Sequence, residues 1–182
     1  IQDYTLDENY QTADEPKVMS GLRHLRMLLM MRWIWQDALS IISLEQLTDE
    51  LSEFADGCIL FAKDYTYEQL IVKYGKPTFI NEQGELKTDD MAVMAMGKLG
   101  SHELNLSSDI DLIFVHQARG MTDGDKSKGT RSIDNKRFMT RLGQGIIKLL
   151  DNNTADGFVF RVDMRLRPWG DGSDLAIHLS AL

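Results

Sequence analysis

This sequence has little of what would carry a chain into an oxidising compartment or a lipid bilayer. Of its 182 residues only Cys58 is a cysteine, so neither an internal disulfide nor a Cys-rich zinc site can form. That usage fits a reducing, cytoplasmic setting. No apolar run approaches the ~18 residues a membrane-spanning helix needs, and the most apolar stretch, Met27-Leu28-Leu29-Met30-Met31, is closed by Arg32. A signal-peptide pattern is absent from the start. Positive charge is also in deficit: 20 Lys and Arg against 28 Asp and Glu leave a net charge of −8. This excludes a general nucleic-acid coat protein and a polybasic membrane binder, while leaving room for a local basic patch. No internal repeat or low-complexity tract is present, and His24, His102, His116 and His178 are scattered without metal-ligand spacing.

What remains is 43% hydrophobic and 26% charged residues, enough for one domain with a real core and against wholesale disorder. The chain ends at Leu182 without an evident finishing element, so it reads as a piece of a longer protein. Residues 1–16 read as a loose polar arm ending in Asp14-Glu15-Pro16, a helix start with Asp14 as cap. From Lys17 to about Ile42, Leu22, Leu25, Leu29 and Trp33 recur at helical spacing, and Trp35 and the Met cluster are expected to widen that apolar face. Ser43-Leu44-Glu45-Gln46 has the form of a capping box. Behind it Leu47, Leu51, Phe54, Cys58, Phe61 and Tyr65 predict a second helix, with Cys58 a buried core residue rather than a nucleophile. The pair (17–77) forms a helical hairpin with no evident chemistry of its own.

Residues 78–90 are polar and turn-rich and separate this half from a core spanning 78–182. Met91 to Met96 reads as a buried strand ending at Gly97, Ile110 to Val115 as a second, and Gln117 to Arg131 as a long polar loop. Phe138, Leu142, Ile146 and Leu149 share one face of a helix stopped by Asp151-Asn152-Asn153, and a third strand is predicted over about 157–167. The order implies an α+β fold, a mixed sheet with flanking helices.

Three segments carry chemistry together. Gly97-Lys98-Leu99-Gly100-Ser101 follows the first strand, where Gly100 and Ser101 let backbone N–H groups approach a phosphate and a following helix N-terminus would add its dipole; Walker spacing is absent. In Ser107-Ser108-Asp109-Ile110-Asp111-Leu112, strand alternation sends Asp109 and Asp111 to one side and Ile110 and Leu112 to the core. Two like charges so close repel unless a cation bridges them, and hard carboxylates suit Mg²⁺ or Mn²⁺. In Phe158 to Pro168, alternation places Phe160, Val162, Met164 and Leu166 on one face and Arg161, Asp163, Arg165 and Arg167 on the other. Such a strand supplies a third carboxylate and guanidinium forks for phosphate oxygens. The set fits two-metal phosphoryl or nucleotidyl transfer.

Gly100-Ser101, Asp109-x-Asp111 and a distant Asp163 resemble the nucleotidyltransferase superfamily with the DNA polymerase β-like fold. More closely, GKLGSHELNLSSDIDLIFVH and DGFVFRVDMRLRPWG resemble the glutamine synthetase adenylyltransferase family, over nearly everything from Lys17 onward. That family joins two such domains in one chain, and ELNLSSDIDLIF with GFVFRVDMRLRPWG is more similar to the amino-terminal, AMP-removing one. The resemblance implies phosphorolysis of the AMP–tyrosine bond of adenylylated glutamine synthetase, giving ADP, with Mg²⁺ or Mn²⁺ required and the PII signalling protein and glutamine setting which activity dominates. It implies no nucleic-acid or membrane partner. By position Asp109, Asp111 and Asp163 would hold metal; Gly100, Ser101, Arg165 and Arg167 would hold phosphate or nucleotide; Ser108 and Lys98 would assist. Two departures stand out: Gly100-Ser101 replaces the usual Gly-Gly, and Ser173-Asp174-Leu175 replaces a small-Pro-Leu stretch. The alternatives are the reverse reaction, ATP-dependent adenylylation, and a non-catalytic nucleotide- or partner-binding module on the same fold.

Overall fold

A computed structural model of the chain describes residues 14–167 and 174–181. Most of the polar arm, and Pro168, Trp169, Gly170, Gly172 and Ser173, lie outside the described residues. Helix α1 (Glu15–Ala38) starts behind Asp14 with Pro16 in its first turn, although the Asp14 side chain makes no cap hydrogen bond. Helix α2 (Leu44–Tyr74) is capped by Ser43, whose Oγ accepts from the Gln46 N–H at 3.1 Å. The box is only half closed, because Gln46 Nε2 donates forward to Glu50 instead of back to Ser43. Leu22 and Trp33 bury on one face of α1, and Cys58 is buried on α2, where desolvation pushes its thiol up to about 12. Trp35 does not join that face: with Met27, Met31 and Ile34 it is exposed, at 67%. Helical spacing alone cannot tell two apolar faces of one helix apart.

The turn-rich segment after α2 folds into a small sheet that was expected to be loop. Strands β1 (Pro77–Ile80) and β2 (Leu86–Thr88) form an antiparallel hairpin. Its turn is set by Asn81 Oδ1, which accepts from the N–H groups of Gln83 and Glu85. A two-residue strand, β5 (Met121–Thr122), pairs with the other edge of β1, so the long polar loop is not structureless.

The second sheet is mixed. Its strand β4 (Ile110–His116) pairs antiparallel with β3 (Met91–Met96) on one edge. On the other edge it pairs parallel with β6 (Val162–Asp163) near its start and with β7 (Ala176–His178) near its end. The predicted third strand therefore shrinks to the pair Val162–Asp163, and β7 is an addition. Beyond Asp163 the backbone turns, because the Arg165 N–H donates to Asp163 Oδ1 at 2.8 Å in place of a ladder bond, and Leu166 is left exposed.

After the single helical turn α3 (Gly97–Gly100), helix α4 (Asn135–Asp151) buries Phe138, Leu142, Ile146 and Leu149 as the spacing predicts. It packs on α2 and the sheet, where Phe114 fits against Gly143. One core cluster runs from Val18 and Leu22 through Leu51, Ile110, Leu112 and Phe138 to Phe160 and Ala176. This is the expected α+β class, with a mixed sheet flanked by helices. Arg23 crosses the interior and donates from Nε to Gly157 O and from Nη1 to Met19 O and Leu149 O. Among the described residues no helix is long and apolar enough to cross a membrane.

Candidate active site

The candidate site forms where β3, β4 and β6 run side by side. Ile110 and Leu112 are fully buried beneath β4, so the pleat turns Asp111 to the opposite face. In the ladder Asp111 is paired with Met96 of β3 on one side and with Asp163 of β6 on the other. Asp109 lies just before β4, at the end of a loop ordered by Asn105, whose Oδ1 accepts from Ser108 Oγ at 2.7 Å and from Ser107 N–H at 3.2 Å. The Ile110 N–H donates to Arg161 O at 2.9 Å and closes that loop against the strand leading into β6.

The carboxylates are not electrostatically equivalent. Burial pushes the Asp111 carboxyl above its ordinary range, the charges of Asp163 and Asp109 push it the same way, and Arg165 opposes them. Asp163 is held below the usual range by the Arg165 fork, whose Nε reaches Oδ2 at 2.8 Å, and by the Arg165 backbone N–H. Arg165, expected to hold phosphate, is thus engaged with the third carboxylate. Among the described residues no three acidic, histidine or cysteine side chains stand as a ready cation cage, since Asp163 faces Arg165. The donor chemistry still suits a divalent cation: three hard carboxylates, two of them opposed in register, with Asp111 raised by burial first and by its acidic neighbours second.

Gly97 begins a single helical turn, Gly97–Gly100, directly after β3. Its φ is +55°, and a Cβ there would stand 2.5 Å from Asp111 Oδ2. A Cβ on Gly100 would stand 2.6 Å from Ala95 O. The expected helix N-terminus with its dipole does not follow Gly100 and Ser101: Ser101 closes the turn, its N–H donating to Gly97 O, and His102 takes a left-handed φ of 56°. The Ser101 hydroxyl lies within its own turn, 3.3 Å from Glu103 Oε2. His102 faces Asp49 and Asp56 of α2. Ser108 is half-buried on Asn105, and Arg167 sits half-buried at the bend after β6, its N–H reaching Met164 O at 3.4 Å. The structure thus brings Asp109, Asp111, Asp163 and Arg165 together.

Gly97 does more than end a strand and open the Gly97–Ser101 segment; its position after an apolar run and before a glycine-containing turn is the sequence signal for that role. A second polar cluster gave none. His116, at the far end of β4, is buried with its Nδ1 3.6 Å from Asp89 Oδ2, and its ring meets that of His178 edge-on at 5.5 Å.

The amino-acid sequence is similar to those of known proteins. The chain spans about one-sixth of the length of the curated relatives it matches. It is 53% identical over 169 residues to the bifunctional glutamine synthetase adenylyltransferase/adenylyl-removing enzyme of Acinetobacter baylyi, covering 93% of this chain and 17% of that protein. The like-named proteins of Thioalkalivibrio sulfidiphilus and Hahella chejuensis are each 45% identical, over 93% and 92% of this chain and 16% and 17% of their own lengths. The family model for glutamate–ammonia ligase adenylyltransferase matches residues 4–182, and the chain belongs to that family.

Proposed function

We propose that this chain carries the adenylyl-removing activity: metal-dependent phosphorolysis of the AMP–tyrosine bond of adenylylated glutamine synthetase, releasing ADP. The observation that carries this reading is the in-register opposition of Asp111 and Asp163, with Asp109 at the mouth of the same strand. The relatives' shared name supplies the substrate and both directions of the chemistry. The removing direction rests on the likeness of ELNLSSDIDLIF and GFVFRVDMRLRPWG to the amino-terminal domain of that family.

Asp109, Asp111 and Asp163 would hold Mg²⁺ or Mn²⁺, which when bound neutralises charge developing on phosphorus. The chain's own part is to fix the geometry. Gly97 leaves room for the Asp111 carboxylate, and Asn105 holds the loop that presents Asp109. Arg165 forks onto Asp163 and fixes the direction of that carboxylate. Inorganic phosphate is already a competent nucleophile, so no histidine relay is needed. The PII signalling protein as regulator, nucleotide and phosphate as ligands and a cytoplasmic setting belong to the same proposal.

The test is incubation of the protein with adenylylated glutamine synthetase, phosphate and Mg²⁺. Release of ADP and recovery of the unmodified tyrosine are expected. Modification of the unadenylylated enzyme by ATP, without ADP release from the adenylylated form, would reverse the direction.

A further inference from the structure

Arg26 of α1 and Arg161 of the segment entering β6 meet at one phenylalanine. The Arg26 Cζ lies 5.2 Å from the Phe158 ring centroid and the Arg161 Cζ 4.9 Å from it. Both side chains line a cavity of about 290 Å³ whose wall also includes Ser107, Ser108 and Asp109. Arg26 Nε is buried without a hydrogen-bond partner, and among the described residues neither guanidinium has a carboxylate partner. Buried charge of this kind is costly unless it is paired, and an aromatic face compensates only in part. Desolvation lowers the Arg26 pKa, as expected of a cation short of a counter-charge. Two guanidiniums against the single charge of Asp109 leave the cavity a surplus of positive charge. Its volume sits at the lower edge of the roughly 300–1,000 Å³ typical of small-molecule sites, which suits a small ion with its waters. Guanidinium forks match tetrahedral oxyanions, and the shared wall puts that ion beside Asp109, one of the three candidate metal ligands.

We propose that the cavity between Arg26 and Arg161 is the subsite for a phosphoryl oxyanion, and that in the reaction proposed above it seats the attacking inorganic phosphate. This rests on the adenylyl-removing reading and moves the phosphate anchor from Arg165, which is engaged with Asp163, to a pair joined only in the folded chain. An oxygen of hydrogen phosphate forms a bond to the AMP phosphorus while the bond from that phosphorus to the tyrosine oxygen breaks. The proton brought by hydrogen phosphate ends on the tyrosine oxygen, leaving ADP and free tyrosine side chain. The helical half, which showed no chemistry in the sequence, thereby contributes a substrate-binding side chain.

The test is direct titration of inorganic phosphate onto the wild-type protein and its Arg26→Gln, Arg161→Gln and Arg165→Gln variants, followed by calorimetry, with AMP as a second probe. Phosphate affinity should fall about tenfold or more in each of the first two variants and stay within about twofold in Arg165→Gln. In turnover, Arg26→Gln should raise the KM for phosphate by a similar factor, with kcat changed only a few-fold. Arg161 is exposed, so its variant tests the site even if Arg26→Gln folds poorly. Unchanged phosphate affinity in Arg161→Gln overturns the proposal. So does loss of AMP binding, with phosphate binding intact, which would make the cavity a nucleotide site. Phosphate binding that depends on both arginines without ADP release sinks the reaction and keeps the subsite; ADP release with an unchanged KM for phosphate does the reverse.

Discussion

Asp111 and Asp163 occupy the same rung of two parallel strands, and their carboxyls are displaced in opposite directions, Asp111 upward and Asp163 downward. Burial and the two neighbouring acids disfavour the charge on Asp111, whereas Arg165 forks onto Asp163 and favours its charge. The asymmetry leaves Asp111 as the carboxylate for which an added cation does most.

Asp111→Asn should therefore stabilise the fold while abolishing turnover. A carboxyl raised in the folded state contributes stability below the ordinary carboxylate range, and that contribution is lost as pH rises through the raised value. At neutral pH the variant should melt at a higher temperature than wild type, and the gain should vanish below the ordinary carboxylate range, about pH 4. Activity should fall at least about 100-fold. Millimolar Mg²⁺ should raise the wild-type Tm and leave that of the variant nearly unmoved. Thermal melts at two pH values with and without Mg²⁺ check this, and an equal Tm across all four conditions would contradict it.

Arg165→Gln should release Asp163 from its fork and move its carboxyl back towards the usual range. A depressed carboxyl contributes stability above its unfolded value that is lost as pH falls through the folded one. The variant should therefore lose structure slightly earlier on acid titration. The effect is small, because the Arg165 side chain is 81% exposed. Carbon-detected NMR of the Asp163 carboxyl gives the direct reading; the same midpoint in both proteins would mean that the fork is not made in solution.

Local periodicity made the helices and the inner face of β4 legible. Phe138, Leu142, Ile146 and Leu149 bury as their spacing requires, and so do Ile110 and Leu112. What the sequence hid is non-local or too short to show a period. Strand β2 is exposed at Leu86, Lys87 and Thr88 alike, so it carries no alternation to read. The strand entering Asp163 stops because a side chain takes the next N–H, an event that apolar–polar patterning cannot register. Within the candidate site the spacing singled out three acids, but the opposition of Asp111 to Asp163 comes from strand register. The meeting of Arg26 with Arg161 on Phe158 comes from packing of α1. Neither relationship leaves a mark in the order of residues.

Arg23 should prove one of the costlier surface-to-core positions. It is 2% exposed, and its donors join α1 to the end of α4 and to Gly157. The last carbonyls of a helix lack intrahelical donors, so a guanidinium there both satisfies them and complements the dipole. Arg23→Ala removes the donor from these carbonyls, of which Leu149 O is buried, and should cost about 2–4 kcal/mol. Arg23→Lys should fall in between, because an ammonium cannot reproduce the fork. Urea unfolding measures both, and a change below about 0.5 kcal/mol in the alanine variant would show that water replaces the donor freely.

Gly97→Ala and Gly100→Ala should separate function from stability within one helical turn. At Gly97 the added methyl meets Asp111 Oδ2, the mobile end of a side chain, so the carboxylate can swing aside. The fold then loses about 1–2 kcal/mol, chiefly for the positive φ, while displacement of a metal-holding oxygen by about 1 Å should cost on the order of 100-fold in turnover. At Gly100 the methyl meets Ala95 O, a backbone atom of β3 that cannot rotate away, so strand or turn must shift and stability should fall further. Paired measurements of kcat and urea midpoint should give Gly97→Ala the larger activity loss per unit of stability lost. A Gly97→Ala protein with wild-type turnover would show that Asp111 need not stand where the turn now leaves room for it.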